Sequence, residues 1–138
     1  MSRYFAVLSI GLFYLSALNT LAARFAGTCT QGDADRLAGI LITAILSTAA
    51  IWLMRASSRE PMVLVAIAPV LLVFAWQAVF SLRLGYELLW LDSSACQVLT
   101  GVPHAMDGHE YFYGLAWPLV SILVPVSIGL AWWNRRNR

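Results

Sequence analysis

Four apolar stretches, 4–23, 37–54, 61–82 and 111–133, dominate the sequence and constrain its fold more than any other feature. Twenty residues at a rise of about 1.5 Å span roughly 30 Å, the thickness of a bilayer's hydrocarbon core. Inside that core every backbone polar group needs a partner within the protein, so only helices and closed barrels can cross. Long unbroken apolar runs without period-two alternation select helices. Composition agrees, because 60% of the 138 residues are apolar and 12% are charged. A soluble domain is nearer half apolar and a quarter charged. One core of this size cannot enclose so much apolar surface. The expected fold is an all-α membrane protein with a single integral domain. It is an antiparallel bundle of four transmembrane helices with a short outer cap over 83–110. The first stretch exceeds a signal-peptide core of about 7–15 residues, so it is expected to remain as a helix.

Each stretch carries its own packing signal. In the second, Gly39, Thr43 and Ser47 repeat every four residues, with Ala44 and Thr48 beside them. Small residues at that spacing let another helix come close, within the chain or in a second copy. The third stretch opens with Pro61, where a helix tolerates proline because first-turn amides have no helical partner. Beyond Leu82 its pattern turns mixed, and 83–92 reads as a helical continuation or a short interfacial helix. The fourth contains Pro118 and Pro125 on nearly one face. Each removes an amide donor and bends the helix, freeing the carbonyls of Gly114 and Ser121. A groove at that bend is a candidate ligand crevice.

Arginine placement sets the expected orientation, because every basic residue is arginine. Arg3, Arg55, Arg59, Arg135, Arg136 and Arg138 fall on the side of the termini, against Arg24, Arg36 and Arg83 on the other. The positive-inside rule then makes both termini cytoplasmic. The small size, the all-arginine basic set and the lack of an N-x-[ST] site point to a bacterial inner membrane. A net charge of +2 without a basic cluster excludes a nucleic-acid footprint.

Three features carry candidate chemistry. Cys29 and Cys96 fall in the two outer loops, where an oxidising compartment permits a disulfide. They form no CxxC, so the usual zinc and thioredoxin-like spacings are absent. The segment His104-Ala-Met-Asp107-Gly-His109-Glu110 holds both histidines and two carboxylates, a donor set for zinc, copper or iron. Its spacing matches no known signature, and it also suits a polar loop in which Asp107 caps the last helix. Finally, no charged residue lies within the core of any stretch, where such residues mark ion paths and proton relays. The deepest polar groups are Gln77, Thr43, Ser47, Ser121 and Ser127, suited to hydrogen bonds between helices.

These features lead to the expectation of a small non-catalytic subunit or assembly protein of a larger membrane complex. Its partners would be membrane lipids and other integral subunits, or copies of itself. One alternative is a thiol–disulfide or metal-dependent redox protein using Cys29, Cys96, His104 and His109. Another is a lipid- or quinone-binding helper. Beyond bound lipids, a metal or a quinone is the candidate cofactor.

Overall fold

The computed structural model describes residues 2–25, 32–57, 60–106 and 108–137. Six helices follow in chain order: α1 (Ser2–Phe25), α2 (Gly32–Ala56), α3 (Glu60–Ala66), α4 (Ala68–Trp90), α5 (Ala95–Thr100) and α6 (Glu110–Arg136). No strand occurs among the described residues. Among the described residues four segments are long and apolar enough to cross a membrane: Arg3–Arg24, Arg36–Ala56, Ala68–Trp90 and Glu110–Asn134. The chain is an all-helical integral membrane protein.

Each long helix buries one stripe, and small or polar residues make up much of it. On α1 the stripe is Ala6, Ser9, Phe13, Ser16, Ala17, Thr20 and Ala23. On α4 it is Val70, Phe74, Gln77, Ser81, Leu84, Gly85 and Leu88. The opposite faces carry large apolar side chains, such as Leu18, Leu41, Ile45, Leu72 and Val79, all more than 60% exposed. Water penalises such surface and lipid does not, so the burial pattern fits a membrane solvent. Small buried residues suit it too, because helices in lipid associate by close approach and hydrogen bonding.

Contacts between paired helices run in opposite order along the chain. On α1 and α2, Ser9 reaches Ala50, Ser16 reaches Thr43 and Ser47, and Asn19 reaches Gly39. On α4 and α6, Phe80 meets Trp117 and Gly85 meets Gly114. The apolar interior has two parts. One, near the ends that hold both termini, contains Phe13, Met54, Val63, Ile67, Phe74, Val124 and Ile128. The other, toward α5, contains Ile40, Leu84, Leu88, Ala95, Tyr113 and Trp117.

The helix limits differ from the apolar stretches in two places. The third stretch divides at Ile67, which makes a turn between α3 and α4, so the spanning helix is 68–90 and not 61–82. Pro69 is the cause. It lacks an amide hydrogen and its ring displaces the carbonyl four residues back, so it starts a new helix within its first two positions. The Tyr14 hydroxyl donates to the Ala66 carbonyl at the end of α3, 3.0 Å away. At its other end α4 runs through 83–90, and the connection to α6 begins at Leu91 rather than at Arg83. The second difference is that α2 starts at Gly32, ahead of the apolar run, which places Arg36 on the helix. Backbone hydrogen bonding carries a helix past the end of its apolar face until a breaker intervenes.

Candidate functional site

The polar groups at membrane depth fall into two sets. The first is a seam between α1 and α2. Ser9 Oγ donates to the Ala50 carbonyl at 2.8 Å, and Ser16 Oγ lies 2.6 Å from Ser47 Oγ and 3.2 Å from the Thr43 carbonyl. Asn19 Nδ2 donates to the Gly39 carbonyl at 2.7 Å and to Thr43 Oγ1 at 2.8 Å. A Cβ added to Gly39 would collide with the Ala23 side chain, so glycine sets the approach of the two helices. The small-residue row Gly39, Thr43 and Ser47 therefore packs against α1 of the same chain.

The second set lies between α4 and α6. Gln77 and Ser121 are buried, and the register that pairs Phe80 with Trp117 and Gly85 with Gly114 places them opposite each other. The Gln77 amide, Ser121 Oγ and Trp117 Nε1 have no hydrogen-bond partner among the described residues. The expected bonds between helices form at Thr43 and Ser47 and not at Gln77 and Ser121. Both sets are uncharged.

Arginines hold the other end. Arg24 stacks its guanidinium 4.1 Å from the Trp76 ring centre and 3.7 Å from that of Phe80. Phe80 in turn meets Trp117 edge-on at 6.1 Å, so the contact joins α1, α4 and α6. Arg36 is 5% exposed and lies 5.8 Å from the Tyr113 ring centre. A planar, weakly hydrated guanidinium tolerates such aromatic surroundings better than an ammonium does. Sequence reading left both arginines in a loop. Their contact with aromatic rings has no local signal, since Tyr113 and Trp76 are distant in the chain.

The connection after α4 is built as a structure of its own. Asp92 turns the chain at φ 48°, and its carboxylate accepts from the Tyr111 hydroxyl at 3.2 Å. Ser94 caps α5 by accepting from the Gln97 amide at 3.1 Å. Gly101 ends α5 at φ 75°, a left-handed position that favours glycine. Glu110 opens α6 with its side chain buried, and its Oε2 accepts from the Ala95 amide at 2.8 Å. Ala95, Val98 and Met106 then pack into the core with Tyr113 and Trp117. Beyond α5, residues 101–105 form an exposed crest.

The candidate ligands fall unevenly on this connection. His104 and His109 are exposed, whereas Glu110 is buried and joins α5 to α6. Asp107, the expected cap of the last helix, and Cys29 lie outside the described residues. No group of three potential metal ligands occurs among the described residues. Cys96 is buried on α5, and its carbonyl accepts from Thr100 Oγ1 at 2.7 Å.

Two grooves remain. One, of about 430 Å³, runs between α4 and α6 along Gly85, Tyr86, Trp90, Gly114, Pro118 and Ile122. A Cβ on Gly85 would lie 2.7 Å from the Gly114 carbonyl oxygen, the acceptor that Pro118 deprives of its helical donor. Pro118 lines this groove and Pro125 does not. The other groove lies between α2 and α6 and has a polar mouth at Arg55 and Asn134. No family model, curated protein or solved structure matches the chain.

Proposed function

We propose that this protein is a small non-catalytic subunit or assembly factor of a larger membrane complex. In this reading four antiparallel helices cross a bacterial inner membrane with both termini in the cytoplasm. Residues 91–110 form the outer cap that meets the partner. The observation that carries the reading is the construction of that cap. Its backbone is held by Ser94, Gly101 and the Glu110–Ala95 bond, while Val102 is 57% exposed on the crest. A fixed loop with an exposed apolar tip is preorganised for docking, since little entropy is lost when it binds. A disulfide from Cys96 to Cys29 would fasten the cap to the first outer loop. No described cysteine is a free thiol, which supports that bond.

Extraction in mild detergent followed by native mass spectrometry tests the reading. The expected result is a defined stoichiometric partner that Val102→Asp releases without lowering the melting temperature. Recovery of the wild-type chain alone refutes it.

The groove beside Pro118 supports a second reading, a lipid- or quinone-binding helper. Its apolar lining, with Tyr86 and Trp90 stacked at 5.9 Å, suits an isoprenoid or acyl chain. Organic extraction of the purified protein would then yield quinone or lipid at a fixed ratio. Gly114→Leu would abolish that ratio.

A further inference from the structure

The groove between α2 and α6 combines three properties that point to one kind of ligand. Two adjoining cavities, of about 340 and 240 Å³, share Thr48, Ile51 and Ser127. The inner one is lined by Ala44, Ser47, Val120, Leu123 and Val124 besides the shared residues, a mostly apolar slot that runs toward the middle of both helices. The outer one is also lined by Arg55 and Asn134, from the last turns of α2 and α6. A path that is apolar at depth and cationic at its mouth matches an amphiphile with an anionic head.

The depth of the mouth fits that match. Trp52 and Trp133 are exposed on the last turns of α2 and α6, beside Arg55 and Asn134. Exposed tryptophans gather at the level of lipid headgroups. Charge agrees as well. The same ends of the helices carry Arg3, Arg55, Arg135 and Arg136, against one acid, Glu60, at the start of α3. The groove beside Pro118 lacks such a mouth, because no charged residue lines it.

We infer that the α2–α6 groove is a binding site for one anionic phospholipid. An acyl chain fills the slot between Ala44 and Val124. The phosphate is held by Arg55 with help from Asn134. Arginine suits this role because its planar fork donates two parallel hydrogen bonds to phosphate oxygens. The site is distinct from the proposed cap interface and lies at the opposite end of the bundle.

Native mass spectrometry of the delipidated full chain in detergent, titrated with phosphatidylglycerol or with phosphatidylcholine of the same acyl chains, tests the site. One basic residue near a membrane surface contributes about 1 kcal/mol toward an anionic lipid, so the wild type should prefer phosphatidylglycerol about fivefold for its first bound copy. Arg55→Gln should erase that preference and Arg55→Lys should keep most of it. Ser127→Leu, which fills the slot, should weaken both lipids at this copy, with a melting curve reporting that the variant is folded. Equal binding of the two lipids by the wild type overturns the inference. So does an undiminished preference in Arg55→Gln. Displacement of phosphatidylglycerol by millimolar inorganic phosphate would also overturn it, because the mouth would then be a free-anion site.

Discussion

Gly85 and Gly11 show how differently one residue type acts within spanning helices. At Gly85 an added methyl would meet the Gly114 carbonyl oxygen, and the backbone on both sides is fixed by the α4–α6 crossing. At Gly11 nothing lies within 4 Å of the same atom. Overpacking a tight contact costs about 1–3 kcal/mol, whereas alanine in an open helical position costs nothing and removes backbone freedom from the unfolded chain. Gly85→Ala is therefore expected to lower the melting temperature in detergent by several degrees, and Gly11→Ala to leave it level or raise it. Equal effects would mean that the two helices do not cross at Gly85. Gly85 drew no notice in the sequence because its role depends on a carbonyl freed by Pro118, on a helix that comes later in the chain. The freed carbonyl itself was legible, since a proline inside a helix always removes one donor.

Helical elements were readable from apolar length, and their ends were readable less well. The first and fourth stretches match α1 and α6 to within a few residues. In the third, Pro61 and Pro69 both sit in one apolar run, and only the second divides it. Apolarity measures where lipid can lie and is silent on where the backbone changes direction. The short element α5 illustrates the converse, an element held in place by its neighbours. At six residues it is too short to be stable alone. Its first amide is satisfied by Glu110 from α6. Glu110→Ala would leave that buried amide without its acceptor, at a cost of about 1–3 kcal/mol. The expected outcome is faster proteolysis within 91–109 and faster amide exchange at Ala95, while exchange across α1 and α2 is unchanged. Uniform loosening of all helices would show instead that α5 and the bundle unfold together.

The whole molecule buries uncharged polar groups beside its apolar core and leaves many large apolar side chains on its outer faces. The seam through Ser9, Ser16, Asn19, Thr43 and Ser47 contributes little per bond, about 0.6 kcal/mol each in membrane proteins, but fixes which faces meet. The two ends of the bundle are unlike. One carries α5, and the other carries the exposed Trp52 and Trp133 with Arg55. A Cys29–Cys96 bond would close a loop that encloses α2, α3 and α4, for which chain-entropy reasoning gives about 4 kcal/mol. Cys96→Ser is thus expected to lower the melting temperature of the unreduced protein, and dithiothreitol to do the same to the wild type. Thiol tagging before reduction should label neither cysteine. Labelling of both without reductant would remove the staple from the account.

The sequence by itself determined the solvent, the number of spanning segments and the absence of charge from their centres. These follow from local composition, because a bilayer acts on each twenty-residue window separately. Only the tertiary structure decided which polar groups find partners. It paired Asn19 with Gly39 and Thr43, set Gln77 opposite Ser121, and drew Arg24 and Arg36 onto aromatic rings. It also decided that Pro118, and not Pro125, lines a groove, and that Arg55 and Asn134 share a mouth. Those outcomes depend on the register between helices distant in sequence. Register is fixed by the sum of many close contacts, such as Gly39 on Ala23 and Gly85 on Gly114, and no single stretch of the chain encodes it.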